Sequence, residues 1–424
     1  MNKIKKIYAV LIASSTLALT ACNNDDDDIS PSPNLSVPTL VGFARLNADT
    51  YATGPNSGAA IKGANGFNPP FQGQPVQGFS AALKNADGSY MAMADNGFGT
   101  QDNSADFLLR IYQLKPDFKA ATTQTGAQAK GTGKVEVMGF VQLRDPNNKI
   151  PFPIIHQGTA ERLLTGADFD PESMQRAADG SYWIGDEFGP YLLHFDATGV
   201  LLDAPFVLPN PLQAGQELRS PQNQFNKANI NYVAPLVQQS GGFEGMALSA
   251  DGRYLYPILE KPLLGDASRQ VLIFQFDLEK KAYTGQYYRY ALDAKGGNIG
   301  DFQMINDREG IIIERDTSQN KLNAYKKLIH VELNASGQAV TRRDLVDLMD
   351  VANPNLLFGR AREGDIGVGE KFSFPFETIE NIIIENKDTL TVINDNNFPF
   401  SSGRNAKRAD DNEIIQIKLP KPLY

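Results

Sequence analysis

Acidic residues recur along the chain at an almost constant spacing, in three acidic pairs and one pair whose first member is a serine. Four segments share this spacing of fifteen or sixteen residues, and their end positions are Ser80 and Asp95, Glu172 and Glu187, Glu244 and Glu260, and Glu380 and Asp395. Most of the segments contain an Asp-Gly turn signal between two alternating apolar runs, which is typical of a β-hairpin. The first and last residues of an antiparallel hairpin face each other, so each pair should meet at the open end of its hairpin.

Carboxyl groups brought together in this way favour a metal site. Like charges raise one another's pKa unless a cation compensates them, and hard oxygen ligands suit Ca²⁺ or Mg²⁺. We predict a divalent-cation site, with Ca²⁺ as the first candidate. Its predicted ligands are Asp186, Glu187, Glu260, Glu380 and Asp395. The alternative is a set of salt-bridged strand ends, because Lys261, Arg315 and Arg404 follow or lie near several of these acids.

The same basic residues allow a catalytic interpretation. A divalent cation together with Lys261, Arg315 and Arg404 would form a clamp for phosphoryl oxygens. A carboxylate left free of metal could accept the proton of the attacking water, and Glu172 and Glu244 are the candidates. We therefore predict hydrolysis of a small phosphoester. The alternatives are a non-catalytic binding or scaffold protein of the cell envelope, and a carboxylesterase or lactonase-like hydrolase.

Composition and missing motifs narrow the chemistry. The formal charge of -9 argues against nucleic acid as a partner, because phosphate backbones attract basic surfaces. The sequence contains no Gly-x-Ser-x-Gly elbow, no His-Glu-x-x-His zinc motif and no glycine-rich nucleotide-binding loop. The three histidines, His156, His194 and His330, are scattered, so a serine triad or a zinc site is not expected.

The elements that must position these residues are short β-strands. From residue 40 onward, alternating apolar runs are separated by Gly, Asp, Asn and Pro, and a third or fourth strand follows most hairpins. This repeat predicts an all-β fold, a β-propeller of five to seven four-stranded antiparallel blades. A β-sandwich does not explain the repeated hairpin, and a β-helix needs a shorter period.

Several finer expectations follow from the same pattern. Residues 40–46 form a lone strand that should complete the last blade and close the ring. A sixth blade could lie in residues 209–241 or 48–77, although both segments resemble long loops, and residues 343–349 are the best short helical candidate. A closed ring has no free edge to pair, so we expect a monomer.

The N-terminus predicts export and lipidation. Residues 1–21 contain lysines followed by a short apolar run, which is typical of a signal peptide. The segment that ends at Cys22 resembles the lipobox of bacterial lipoproteins, in which this Cys is lipidated. The acidic residues 22–38 should be a solvated tether, and residues 39–424 the propeller domain. We expect a lipid anchor in the cell envelope, on the outer membrane facing the periplasm, as the protein's contact with a membrane.

Four segments resemble one known family. They are the Asp-Phe-Asp-Pro-Glu-Ser segment 168–173, the Trp-Ile-Gly-Asp-Glu-Phe-Gly-Pro segment 183–190, the Phe-Glu-Gly-Met-Ala-Leu segment 243–248 and residues 255–262. They are similar to those of the "esterase-like activity of phytase" family of exported bacterial proteins, and the resemblance covers residues 40–420. It implies ester or phosphoester hydrolysis. Calcium-dependent β-propeller phytases place carboxylates and basic residues at one mouth, which is what the spacing predicts here.

Overall fold

The computed structural model describes residues 36–120 and 130–424, and short β-strands form nearly all of the regular structure there. The first strands along the chain are β1 (Thr39–Leu46), β2 (Tyr51–Ala52), β3 (Gln74–Pro75), β4 (Phe79–Lys84), β5 (Tyr90–Ala94), β6 (Arg110–Asp117), β7 (Lys119–Ala120) and β8 (Lys134–Gln142). Strands β4, β5, β6 and β8 pair antiparallel in that order and are called the first sheet.

Three more antiparallel sheets follow with the same strand order. The second sheet contains β9 (Pro171–Arg176), β10 (Tyr182–Asp186), β11 (Tyr191–Phe195) and β12 (Phe206–Val207). A four-residue helix, α1 (Gln224–Lys227), precedes the third sheet of β13 (Phe243–Leu248), β14 (Tyr254–Leu259), β15 (Gln270–Asp277) and β16 (Ala282–Ala291). The fourth sheet contains β17 (Asn298–Met304), β18 (Glu309–Arg315), β19 (Lys326–Glu332) and β20 (Thr341–Asp347).

The last sheet joins the two ends of the described chain. After the short strands β21 (Val351–Ala352) and β22 (Lys371–Phe372), it contains β23 (Ile379–Asn386), β24 (Thr389–Asn394) and β25 (Asn412–Lys418). Strand β1 pairs antiparallel with β25, from Thr39 opposite Lys418 to Leu46 opposite Asn412. The N-terminal strand therefore supplies the outer strand of the last sheet, as the sequence predicts.

The first strands of these sheets contact one another in a cyclic order. Strand β4 contacts β9, β9 contacts β13, β13 contacts β17, β17 contacts β23, and β23 returns to β4. Side chains link neighbouring sheets at this centre: Asn381 Nδ2 donates to Phe79 O at 2.6 Å, and Ile382 N donates to Asp301 Oδ2 at 2.8 Å. The prediction of an all-β fold built from four-stranded antiparallel sheets is confirmed.

The burial of the strands follows this arrangement. Every residue of β5, β10 and β11 is buried, because these strands are covered on both faces by neighbouring sheets. The outer strand β8 instead alternates between exposed and partly buried residues, as expected where one face meets solvent. Apolar side chains between the sheets therefore form the core and hold the hairpin ends at the centre.

The predicted hairpin turns have the expected backbone. Gly88, Gly180 and Gly252 adopt φ values of +77°, +85° and +71°, which glycine accepts without steric cost. In all three turns the preceding aspartate accepts a hydrogen bond from the backbone N two residues later, at 2.9 Å for Asp87 and Asp179 and at 3.0 Å for Asp251. These local contacts fix the turn at one end of the hairpin and the acidic residues at the other.

Some expectations about individual segments change. The predicted helix at residues 343–349 is wrong, because most of this segment lies in strand β20, where β19 provides the pairing that outweighs a weak local helical pattern. Within the described residues, segments 48–77 and 209–241 contain only short strands, bridges and α1, so neither forms a further four-stranded sheet. Residues 1–35, including Cys22 and most of the predicted tether, lie outside the described residues. No helix in the described part of the chain is long and apolar enough to cross a membrane.

Candidate functional site

A β-bulge recurs in the first strand of every sheet. In β13, for example, Phe243 pairs with Leu259 and Gly245 with Ile258, so that Glu244 has no residue opposite it. A bulge turns the unpaired side chain away from the regular pleat and re-aims it. The unpaired residues at the equivalent positions are Ser80, Glu172, Glu244, Gly300 and Glu380.

A second set of equivalent positions follows from the same register. In each sheet, the residue just before the bulge pairs with a residue near the end of the second strand. The second set consists of the residues that directly follow these partners in the chain. The residues at these positions are Asp95, Glu187, Glu260, Arg315 and Asp395. Two sets of polar side chains thus face the centre of the cyclic arrangement, and most of them are acidic.

The fourth sheet breaks this acidic pattern at both positions. Gly300 replaces the unpaired acid, and a Cβ at this residue would lie 2.1 Å from the carbonyl oxygen of Ile379. Any side chain there would collide with β23, so only glycine fits. Arg315 replaces the second acid and brings a guanidinium group to the centre. The two sets therefore carry one built-in positive charge among their carboxylates.

These side chains line a pocket of about 270 Å³, which we call the mouth pocket. Its lining residues are Asp95, Asn96, Gly99, Asp170, Glu172, Glu187, Ser240, Glu244, Glu260, Lys261, Asn298, Arg315, Thr317, Glu377, Thr378, Glu380, Asp395 and Asn397. Nine of them are acidic, two are basic, and none is aromatic. The structure therefore brings together eight of the residues that the sequence assigns to the site, which are Glu172, Glu187, Glu244, Glu260, Lys261, Arg315, Glu380 and Asp395.

Arg315 is the central cation of the mouth pocket. Its Nη2 lies 3.0 Å from Glu244 Oε1, 3.4 Å from a Glu260 oxygen and 2.9 Å from a Glu380 oxygen. Burial acts to lower the pKa of Arg315, but the three carboxylates outweigh burial and raise that pKa above its ordinary value. The guanidinium is therefore permanently charged and holds carboxylates from the third and last sheets.

Lys261 extends this ion-pair network towards the opening of the pocket. Its Nζ lies 2.7 Å from Glu260 Oε2 and donates to the carbonyl oxygen of Ser240, and about a quarter of its side chain is exposed. Asn298 Nδ2 donates to the other carboxylate oxygen of Glu260. Burial acts to lower the pKa of Lys261, but nearby carboxylates, first that of Glu260, raise it above its ordinary value. Lys261 is thus a charged donor at the edge of the site.

Asp170 belongs to the site, although the sequence pattern did not identify it. Its two carboxylate oxygens accept hydrogen bonds from Asn96, from the backbone N at 3.1 Å and from Nδ2 at 2.7 Å. Ligand oxygens of Asp170, Glu172 and Glu187 lie within 4.8 Å of one another. Strand alternation does not reveal this position, because Asp170 precedes β9 and Glu172 is the unpaired residue of its bulge. Asp95 was seen in the hairpin spacing but was not assigned a role there.

Carboxyl oxygens approach one another closely enough to hold a metal ion in three overlapping groups. In each group the oxygens lie within 4.8 Å of one another, and every residue is buried. The groups are Asp170, Glu172 and Glu187; Glu172, Glu244 and Glu380; and Glu187, Glu244 and Glu260. Oxygen ligands alone suit Ca²⁺ or Mg²⁺ rather than Zn²⁺. The donor set therefore fits the predicted type of cation.

Burial and mutual repulsion raise the pKa values of these acids. The pKa of Glu172, and likewise that of Glu244, is well above its ordinary value, first because of burial and then because of neighbouring carboxylates. Burial and Asp395 raise the pKa of Glu380 to about 8, and burial raises that of Asp395 to about 6. Either protonation of these carboxylates or a bound cation can relieve this repulsion.

Asp186 does not line the mouth pocket, which corrects its assignment as a metal ligand. The side chain is fully buried, and its oxygens accept hydrogen bonds from Asp170 N at 2.8 Å and Gly189 N at 2.6 Å. Neighbouring residues of a strand point to opposite faces, so Glu187 faces the pocket while Asp186 faces the backbone of the adjoining loops. Asp186 therefore holds the loops around Asp170 and Gly189.

Arg404 is also outside the mouth pocket, which corrects its assignment as a substrate-binding residue. Its Nη2 lies 2.7 Å from Glu413 Oε2 and its Nε lies 2.9 Å from Glu413 Oε1, while Nη1 donates to the carbonyl of Ser373 at 3.0 Å. The side chain is almost completely buried and packs over Phe372 and Phe376. All its donors thus serve the core rather than a ligand.

A second polar constellation resembles a serine triad only in its distances. His194 Nε2 lies 3.0 Å from Ser181 Oγ, and His194 Nδ1 lies 2.7 Å from Asp203 Oδ2. Ser181 Oγ also donates to Asp179 at 2.6 Å within the hairpin turn, and His194 stacks on Trp183 with centroids 4.1 Å apart. A groove of about 690 Å³ lies nearby, but neither Ser181 nor His194 lines it. These contacts support a structural role for His194.

Comparison with known proteins identifies a family. A family model described as "Esterase-like activity of phytase" matches residues 74–398, a range that includes every lining residue of the mouth pocket. The chain is also 27% identical over 186 residues to an uncharacterized secreted protein of Arthroderma benhamiae. That match covers 39% of this chain and 35% of the relative, so the matched segment spans about a third of the relative's length.

Solved structures give more distant likenesses. A periplasmic gluconolactonase of Pseudomonas aeruginosa is 15% identical with a TM-score of 0.34, covering 90% of this chain and 100% of that one. A PQQ-bound aldose sugar dehydrogenase from Streptomyces coelicolor is 8% identical with a TM-score of 0.35, covering 89% and 98%. At these TM-scores, neither structure informs what this chain binds.

Proposed function

Because the chain belongs to the family described as "esterase-like activity of phytase", we propose that it is a divalent-metal-dependent hydrolase of phosphoesters. We place its active site in the mouth pocket, at the centre of a five-bladed propeller formed by the five sheets. The cation is proposed to be Ca²⁺ and the protein a monomer. The substrate is proposed to be a small molecule, because the volume of the pocket is only about 270 Å³.

The observation that carries this proposal is the excess of buried carboxylates over basic groups. Nine acidic residues share the mouth pocket with Lys261 and Arg315. Burying unpaired charges is costly, so the ionised site needs positive charge from a ligand. The buried side chain of Glu172, for example, accepts no hydrogen bond from any amide, hydroxyl or basic group that the structure describes. A bound divalent cation would supply this charge and act as a Lewis acid for the phosphoryl oxygens.

The two basic residues suit different tasks. Lys261 is partly exposed and charged, so its Nζ is suited to contact a phosphate oxygen of the substrate at the pocket opening. Arg315 is buried among three carboxylates, and its Nε has no hydrogen-bond partner among the described residues. We propose that Lys261 binds substrate directly, and that Arg315 chiefly orients the carboxylates and balances their charge.

Glu244 is the proposed general base. Its Oε1 is held by Arg315, while burial and neighbouring acids raise its pKa towards the range in which a carboxylate accepts a proton efficiently. In the proposed reaction, water attacks phosphorus and gives a proton to Glu244. The bond between phosphorus and the alcohol oxygen breaks, the leaving oxygen takes a proton from solvent water, and Glu244 returns its proton to solvent. Aromatic side chains are absent from the described lining, which favours a charged substrate over one bound by ring stacking.

Replacing Glu244 by Gln should lower kcat/KM for a phosphoester by about 100-fold or more, because a general base contributes about 10²–10⁴-fold. The full-length protein would be assayed with chromogenic phosphomonoester, phosphodiester and acyl ester substrates, with Ca²⁺, with Mg²⁺ and with chelator. Glu136→Gln, on the exposed face of β8, is the matched control and should retain wild-type turnover.

The outcomes of this panel separate the proposed function from its alternatives. Phosphoester turnover that disappears with chelator supports the metal-dependent hydrolase. Faster turnover of acyl esters favours a carboxylesterase or lactonase-like enzyme. No turnover of any substrate with either cation contradicts the proposal and favours a binding or scaffold protein.

We further propose that the protein is anchored in the cell envelope through lipid on Cys22, on the outer membrane facing the periplasm. The predicted signal sequence before Cys22 supports this location, and the similar protein of Arthroderma benhamiae is described as secreted. In Triton X-114 partitioning of cells that express the full chain, the wild-type protein should enter the detergent phase. Cys22→Ser should shift it to the aqueous phase or leave it with its signal peptide uncleaved. Equal partitioning of the two proteins, both processed, would contradict the anchor.

A further inference from the structure

The positive charges of the mouth pocket are concentrated on one side. Arg315 forms salt bridges with Glu244, Glu260 and Glu380, and Lys261 forms one with Glu260. The adjoining group formed by Asp170, Glu172 and Glu187 makes no salt bridge within the part of the chain that the structure describes. The two groups share one pocket but differ in how their charge is balanced.

The carboxylate of Glu172 lacks a positively charged partner among the described residues. Its side chain is only 8% exposed and lines the mouth pocket. Among residues 36–120 and 130–424, no amide, hydroxyl or basic group hydrogen-bonds to its carboxylate. Its charged neighbours are the carboxylates of Asp170, Glu187, Glu244 and Glu380. A buried carboxylate surrounded by other carboxylates requires a cation or a proton.

Asp170 is already oriented for ligation. Asn96 donates to both of its oxygens, which fixes the carboxylate plane, while the carboxyl groups of Glu172 and Glu187 lie within hydrogen-bonding reach of the same oxygens. Supporting hydrogen bonds of this kind are typical of residues that hold a metal ion. Oxygens of Asp170, Glu172 and Glu187 lie within 4.8 Å of one another, so one ion can reach all three.

The geometry points to a single Ca²⁺-type ion bound by Asp170, Glu172 and Glu187, with the Arg315 guanidinium occupying the place of a second ion among Glu244, Glu260 and Glu380. This inference rests on the metal dependence proposed above and specifies where the ion binds. The fourth sheet makes the division possible, because Gly300 and Arg315 replace the two acids that the other sheets would predict there. A substrate anion would then lie between the bound ion and the Lys261 side of the pocket.

Two charge-neutralising variants test the ion's position with CaCl₂ as the probe. Isothermal titration calorimetry gives the affinity, and the Tm is measured in chelator and in Ca²⁺. Glu172→Gln should weaken Ca²⁺ binding more than about 10-fold, because it removes a direct ligand, and should raise the Tm in chelator by removing an unpaired buried charge. Glu260→Gln should weaken binding less and lower the Tm in chelator, because it leaves Lys261 without its salt bridge. Should Glu172→Gln not fold, Asp170→Asn takes its place, with the same expected loss of binding.

The number of bound ions tests the role of Arg315. The wild-type protein should bind one Ca²⁺, and Arg315→Met should bind two, because the second group of carboxylates then lacks its built-in cation. Two ions in the wild-type protein, or a greater loss of affinity in Glu260→Gln than in Glu172→Gln, would overturn the inference. Absence of Ca²⁺ binding would overturn it as well. Ca²⁺ bound as described without hydrolysis of any substrate would leave it standing while the proposed function fails.

Discussion

Replacing Arg315 by Met should lower the free energy of unfolding by about 3–5 kcal/mol at neutral pH in the presence of chelator. The variant removes a guanidinium that is only 4% exposed and contacts three carboxylates. Removing one partner of a buried ion pair leaves uncompensated charge, and here Glu244, Glu260 and Glu380 are all affected. Guanidinium chloride unfolding at constant m-value measures the change.

An exposed arginine provides the matched control for this prediction. Arg308 forms a salt bridge with Glu332 at 2.9 Å, but both side chains are exposed. Arg308→Met should therefore change the free energy of unfolding by less than about 1 kcal/mol. Adding Ca²⁺ should recover part of the stability lost in Arg315→Met, because an ion can replace the missing charge. If Arg315→Met is as stable as the wild-type protein in chelator, the carboxylates do not depend on Arg315.

Raising the pH from about 6.5 to about 8 in chelator should lower the Tm by about 3–6 °C. Burial and Asp395 raise the pKa of Glu380 from its ordinary value of 4.5 to about 8 in the folded protein. A carboxyl group with a raised pKa contributes stability that is fully present below its unfolded pKa and is lost as the pH rises through its folded pKa. Scanning fluorimetry across this range measures the loss.

The pH range is chosen to isolate the acidic groups. Burial lowers the pKa of His194 and His330, which makes stability rise with pH below about 6.5. Burial also lowers the pKa of Lys326 to about 8, so this group likewise makes stability rise with pH, but only above about pH 8. Asp186 and Asp301, with pKa values raised by burial to about 8 and about 7, act in the same direction as Glu380 but lie outside the mouth pocket. These two groups therefore also make the Tm fall as the pH rises, independently of the mouth pocket.

Glu380→Gln and Ca²⁺ separate the mouth pocket from this background. The variant should show a smaller decrease of Tm between pH 6.5 and 8 than the wild-type protein, because one titrating group is removed. Ca²⁺ should stabilise the wild-type protein more at pH 8 than at pH 6.5, because protons compete with the ion for the carboxylates. A Tm difference between Ca²⁺ and chelator that does not grow with pH would argue against an ion bound by these acids.

Much of the site follows from local sequence. The Asp-Gly turns and the alternating apolar runs specify hairpins, and a hairpin of known length places its first and last residues together. The spacing alone therefore pairs Glu172 with Glu187 and Glu244 with Glu260, and the strand register agrees. It also indicates that residues 40–46 pair with the last strand, because that sheet otherwise lacks a fourth strand.

Side-chain direction at the hairpin ends could not be predicted in the same way. The bulge in each first strand shifts the register by one residue, and in the second sheet it leaves Glu172 unpaired and re-aims its side chain. A bulge depends on how neighbouring sheets approach, as the contact between Gly300 and Ile379 shows, and no local pattern encodes that approach. The same reason explains why Asp170 was missed.

The repeated hairpins and the acids at their open ends follow from local sequence, because turn geometry and strand alternation act between residues close in the chain. Which charges meet depends on contacts between residues that are far apart in the chain. Arg315 contacts Glu244, Glu260 and Glu380, which are 55 to 71 residues away, while Arg404, only nine residues from Asp395, pairs instead with Glu413. The packing of one sheet against another determines which charged side chains lie close together. A buried charge then pairs with the opposite charge nearest to it, because an unpaired buried charge is costly.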